Sequence, residues 1–116
     1  MIKKIVVAGA GTMGSGIAMA AAQSGYSVTL FDTNELVLGK AKNGIIKNLD
    51  FLLSKQKISP EESKEILDRV LFSSSLTDCN ADLIIEAIVE IIGVKIDLFN
   101  KLAEINSPDC IFASNT

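Results

Sequence analysis

Hydrophobic positions along this chain fall into two alternating rhythms. Short, almost unbroken apolar runs occur at Ile5-Val6-Val7-Ala8, Val28-Thr29-Leu30-Phe31, Val70-Leu71-Phe72, Leu83-Ile84-Ile85-Glu86-Ala87-Ile88 and Cys110-Ile111-Phe112-Ala113. Runs this short, rich in β-branched residues, read as strands buried on both faces. Between them the spacing changes to three and four residues. Leu38, Ala41, Ile45, Leu49 and Leu52 form one apolar stripe, which predicts a long helix from about Asn34 to Lys55. A first helix is expected from about Thr12 to Ser24, with Gly25 as its stop signal. Ser59-Pro60-Glu61-Glu62 opens another. Ser59 caps it, Pro60 suits the first helical position, and Glu62 completes a capping box, with the helix running to about Arg69. A last helix is expected from about Glu90 to Ile105, with Val94, Leu98 and Leu102 on one side. Ser73 to Asn80 reads as a polar turn region, and Pro108 closes the turn before the fifth strand.

Strands alternating with helices predict an α/β fold, a doubly wound parallel sheet with right-handed crossovers. The expected strand order is 3-2-1-4-5. Its ligand crevice would lie where the order reverses, between strands one and four. We expect the first strand at about Lys3 to Ala8, the second at about Ser27 to Phe31, and the fourth at Leu83 to Ile88.

The first strand breaks into Gly9-Ala10-Gly11-Thr12-Met13-Gly14, a G-x-G-x-x-G that leads straight into a helix. In this setting Gly9 makes the tight turn, Gly11 lets the backbone approach a pyrophosphate, and Gly14 lets helix and strand pack closely. Amide groups at the helix start then face the anion. The second strand ends in Asp32, eighteen residues after Gly14, where a carboxylate can accept the hydroxyls of an adenosine ribose. Two blander readings stand beside this one. The glycine motif alone recurs by accident, and Asp32 could be a helix N-cap with Glu35 completing its box. Strand, motif, helix, second strand and terminal acid in register favour a Rossmann-type dinucleotide site.

Composition narrows the rest. A chain of 116 residues holds one domain, spanning 1–116. A net charge of −3, with a sequence pI near 4.8, argues against nucleic acid as a partner. Cys79 and Cys110 lack metal-ligand spacing and the chain has no histidine, so no metal is expected and free thiols in a reducing cytoplasm are. No charged residue lies between Ile5 and Phe31, which imitates a membrane span. The five glycines inside that stretch, and its change of period, favour a buried strand plus a buried helix and no membrane.

Several segments together, VAGAGTMGSGIA, FDTN, LIIEAIVE with Lys95 five residues on, and FASNT, resemble the N-terminal NAD-binding domain of the short-chain L-3-hydroxyacyl-CoA dehydrogenases, which include the 3-hydroxybutyryl-CoA dehydrogenases. The resemblance covers essentially the whole chain. It implies that Gly9, Ala10, Gly11, Thr12, Met13 and Gly14 hold the NAD pyrophosphate and Asp32 the adenosine ribose. It implies that Glu90 and Lys95 line the cofactor cleft, and that Asn48 and Lys55 contact coenzyme A. Without it, Glu90 reads as a favourable charge at a helix N-terminus and Lys95 as part of a solvated face. Lys40, Lys42, Lys47, Lys55 and Lys57 stud or follow the long helix; a phosphate-rich ligand or plain solvent suits such a face equally.

In the family a serine follows the S-N-T segment, and a histidine, a glutamate and a helical C-terminal domain come later. None is present here, so catalytic residues are not expected in this chain. It reads as an incomplete domain, truncated after strand five, whose partners would be an acyl-CoA substrate and the missing C-terminal domain or a separate chain. Strand five would then be an exposed apolar edge, and the mean hydropathy of +0.37 is high for a small monomer. The implied function is the NAD-binding part of an enzyme of fatty-acid or butyrate metabolism. A non-catalytic NAD(H)-binding or redox-sensing module is the alternative, and a dehydrogenase of another hydroxy acid is a third possibility. Asp32, with no arginine nearby, favours NAD over NADP.

Overall fold

The computed structural model describes residues 2–87 and 100–114. Its five strands are β1 (Lys4–Ala8), β2 (Ser27–Phe31), β3 (Val70–Ser73), β4 (Leu83–Glu86) and β5 (Ile111–Ser114). They form one sheet in the order β3-β2-β1-β4-β5, and every neighbouring pair is parallel. The helices α1 (Thr12–Gln23), α2 (Glu35–Ser54) and α3 (Pro60–Asp68) provide the crossovers on the β1–β3 side. Residues 100–105 are helical and precede β5.

The central strand carries the sheet. Val6, Val7 and Ala8 are fully buried, as a parallel strand covered on both faces requires. Alternate residues point to opposite faces. Ile5 and Val7 join Leu30, Ala18, Ala22, Ile45 and Leu49 beneath α1 and α2. Val6 and Ala8 pack on the other side with Phe31, Ile84, Cys79 and Leu102. Register then aligns the strand ends: Ala8 lies opposite Phe31 in β2 and Glu86 in β4. The loops leaving all three strands therefore start at one level.

Caps fix the helices. Asn34 Oδ1 accepts from the amides of Leu36 (2.9 Å) and Val37 (3.3 Å) and starts α2. Ser59 and Glu62 form the expected reciprocal box at the start of α3, with Pro60 in its first turn. Gly25, at φ +97°, turns the chain after α1. The Arg69 guanidinium then donates to the carbonyl of Ala22 at 2.8 Å, tying the end of α3 to the last turn of α1.

Several boundaries differ from those expected. β4 ends at Glu86, with Ala87 beyond it, because its partner leaves: Ala87 donates to Ala8 at 2.8 Å, and β1 then turns away at Gly9; Ile88, the expected strand end, lies outside the described residues. β5 starts one residue late because the amide of Cys110 closes a turn on Ser107 at 3.0 Å. The first strand starts at Lys4, and α1 and α3 each end a residue early, where Ser24 and Arg69 serve as C-caps. Likewise Asn34 and Lys55 cap α2 without being part of it. The region from Ser73 to Asn80 is not only a turn. Ser73 belongs to β3, and Leu76–Asp78 form a 3-10 helix pinned by Ser73 Oγ donating to Asp78 Oδ2 at 2.6 Å. Leu102 is buried as its helical stripe predicts; Glu90, Val94 and Leu98 lie outside the described residues. On β5, the sheet edge, Ile111 and Phe112 are exposed.

Candidate functional site

The turn after β1 is built from backbone constraints. Gly9 has φ +112°, a conformation side chains rarely tolerate. Its amide donates to the Phe31 carbonyl at 2.7 Å, which holds the turn beside the end of β2. At Gly14 a Cβ would run into the carbonyl oxygen of Gly9. That glycine is what lets α1 begin hard against the turn. At Gly11 the situation is opposite, since a Cβ would meet nothing within 4 Å. Packing within the chain does not demand Gly11; room for an approaching group does. No side chain caps α1 and no acidic residue occupies its first turn, which leaves that helix end suited to an anion. The cradle therefore fits a dinucleotide pyrophosphate.

Asp32 is not the cap of α2; Asn34 has that role. Instead Asp32 Oδ2 accepts from the Ala10 amide at 3.0 Å, and Oδ1 accepts from the Asn34 amide at 2.9 Å. The carboxylate is thereby clamped between the glycine turn and the entrance to α2. Each oxygen keeps a lone pair for a further donor.

Beside the turn opens a cavity of about 490 Å³. Gly11, Thr12, Ser15 and Gly16 form one wall, and Val37, Lys40, Gly44 and Asn48 face them from α2. The fold thus brings Gly9–Gly14 to Asp32 and Asn48 to the same cavity. Lys55 does not join them. It caps the far end of α2, with Nζ 5.8 Å from the centre of the Phe51 ring. Glu90 and Lys95 lie outside the described residues. Sequence reasoning gave no individual role to Lys40, Ser15, Gly16 or Gly44. The available signal was the four-residue spacing of Lys40, Gly44 and Asn48, one row on a helix. Glu86, within the apolar run of the fourth strand, is fully buried at the end of β4 beside Ala8.

Neither thiol is primed for nucleophilic work. Burial pushes Cys79 up to about 11, with Asp78 adding to the effect and Lys4 opposing it. Cys110 is raised as well, by burial and then by Asp82. Both are free cysteines. Among the described residues no His/Cys/Asp/Glu cluster could hold a metal, and no helix is long and apolar enough to cross a membrane.

Comparison with known proteins agrees with this geometry. Residues 4–116 match the family described as 3-hydroxyacyl-CoA dehydrogenase, NAD binding domain. A probable 3-hydroxybutyryl-CoA dehydrogenase of Deinococcus radiodurans is 43% identical over 114 residues, covering 97% of this chain and 41% of that protein. The mitochondrial hydroxyacyl-coenzyme A dehydrogenase of Sus scrofa is 39% identical, covering 100% of this chain and 39% of that protein. Among solved structures, the 3-hydroxybutyryl-CoA dehydrogenase of Escherichia coli superposes with a TM-score of 0.95 at 35% identity, covering 100% of this chain and 25% of that one. The chain spans about two-fifths of the length of the curated relatives it matches. With the fold, the glycine turn and the clamped aspartate in hand, the chain belongs to the NAD-binding domain family of the 3-hydroxyacyl-CoA dehydrogenases.

Proposed function

We propose that this chain is the NAD-binding part of an enzyme that oxidises an L-3-hydroxyacyl-CoA, of the 3-hydroxybutyryl-CoA type, to its 3-keto form or runs the reverse. The observation that carries the reading is Asp32, held by two backbone amides at the rim of the glycine turn. In that position it can accept the ribose hydroxyls, while Gly9 to Gly14 receive the pyrophosphate. Asp32 would also repel a 2′-phosphate, which favours NAD over NADP. Glu90 and Lys95 are proposed for the cofactor cleft, and Asn48 and Lys55 for coenzyme A, on the family resemblance. NAD, when bound, supplies a hydride acceptor.

The chain's own task is to bind and orient. Moving the hydroxyl proton needs a group poised near neutral pH. The chain has no histidine, its Cys79 thiol stays protonated there, and the general acid/base is proposed to come from outside these 116 residues. Two free thiols fit a reducing, cytoplasmic setting.

Calorimetric titration with NADH tests the reading. Saturable binding is expected, weakened roughly tenfold or more by Asp32→Ala, since a hydrogen bond to a charged group contributes about 1.5–3 kcal/mol. Acetoacetyl-CoA added with NADH should give no turnover. Tighter binding of NADPH than of NADH, or no binding by a folded sample, would overturn it.

A further inference from the structure

Two glycines inside helices face the same cavity, and packing explains neither. Gly16 lies in α1 and Gly44 in α2, and a Cβ built on either meets nothing within 4 Å. A glycine in a helix interior is less stabilising than alanine, so these positions forgo stability without relieving any clash. What they preserve is open space between the two helices. Gly39 on α2 is equally free of neighbours but does not line the cavity, which makes it an internal control.

The chemistry of the lining is one-sided. Thr12, Ser15, Lys40 and Asn48 supply its polar groups, and among the described residues no acidic side chain lines it. Lys40 sits one turn before Gly44 and two before Asn48. It is exposed and makes no ion pair among the described residues. Two other lysines of this helical region are engaged elsewhere: Lys42 lies over the Phe72 ring and Lys55 over the Phe51 ring, each at 5.8 Å. Among the described residues, Lys40 is therefore the cation that lines the space beside the glycine turn.

We propose that Lys40 is the charged contact of a diphosphate subsite between α1 and α2, with Gly16 and Gly44 leaving room for the ligand. The inference rests on reading the glycine turn as a dinucleotide site, and adds a residue and a boundary to it. The ligand class is an adenosine diphosphate ester. The dinucleotide and coenzyme A both carry that group, and the two titrations below separate them.

The test titrates the whole chain with NADH and, separately, with coenzyme A, using Lys40→Met, Lys40→Arg, Gly44→Leu and Gly39→Ala. Lys47→Met, also on α2 but away from the cavity, controls for net charge. Lys40→Met should weaken one of the two ligands about tenfold beyond the effect of Lys47→Met, and Lys40→Arg should restore most of the loss. Gly44→Leu should weaken the same ligand by filling the space. Gly39→Ala should leave both affinities unchanged and raise the melting temperature. An effect on NADH assigns the subsite to the dinucleotide, and an effect on coenzyme A alone assigns it to the acyl carrier.

Equal effects of Lys40→Met and Lys47→Met on both ligands would overturn the proposal, as would a folded chain that binds neither. If Asp32→Ala weakens NADH while Lys40→Met is silent, the cofactor reading stands and the subsite falls. If coenzyme A binds through Lys40 while NADH does not bind, the subsite stands and the cofactor reading falls.

Discussion

Two aspartates at opposite ends of the sheet make the same kind of bond with different results. At the N-terminal ends of the strands, Asp82 Oδ2 alone accepts the amides of Lys3 (2.9 Å) and Lys4 (3.0 Å). Its donors are consecutive residues of one segment, so the group is a staple joining the start of β4 to the start of β1. At the C-terminal ends, the two oxygens of Asp32 are divided between Ala10 and Asn34. Its donors come from two loops, and the carboxylate is fixed at the rim between them. The first arrangement spends the side chain on the fold. The second uses the fold to aim a side chain at a space, which is what a binding site requires.

The largest effect should come from attacking the aimed end through its backbone. Gly14→Ala places a methyl group against the Gly9 carbonyl, and neither backbone can yield without moving α1. Overpacking of this kind costs about 1–3 kcal/mol; a lower denaturant midpoint and loss of NADH binding are expected. An unchanged affinity would mean that the turn tolerates a displaced helix.

Asn34→Ala separates two roles at the same end. It removes the cap of α2, worth about 1 kcal/mol, but leaves the Asn34 amide that holds Asp32. Thermal melts should show the loss, while NADH affinity should fall much less than with Asp32→Ala.

Asp82→Asn should have the smallest effect at neutral pH and should not touch NADH binding. Backbone hydrogen bonds from Lys3 and then Lys4 hold the Asp82 carboxyl below its ordinary value. A depressed carboxylate contributes stability that is complete above the unfolded-state pKa, about 3.9, and is lost as pH falls through the depressed value. The variant should therefore leave the pH dependence above pH ~3.9 unchanged and flatten the acid limb of stability below it. An identical acid limb in both proteins would show that the staple carries no proton linkage.

Much of this was legible in the sequence because it depends on local rules. Apolar runs and the stripe from Leu38 to Leu49 specify buried strands and an amphipathic helix whatever surrounds them. Ser59-Pro60-Glu61-Glu62 is a self-contained capping device, and it forms as written. Strand ends were less legible, because a strand lasts as long as its neighbour does. β4 has apolar residues to continue past Glu86, yet β1 turns away first.

The sequence by itself determined the strand order, the glycine turn with Asp32 at the end of β2, and the family, since period, motif spacing and segment likeness are carried by chain order. Tertiary structure alone decided what Asp32 bonds to. Asp32 and Asn34 are equally good caps on paper, and only the approach of Ala10 from another loop assigns one to the turn and the other to α2. It also decided which lysine of a basic helix faces the glycine turn. Lys40 and Lys55 look alike in a charge pattern, but the packing of α2 against α1 brings Lys40 to the cavity and leaves Lys55 over Phe51.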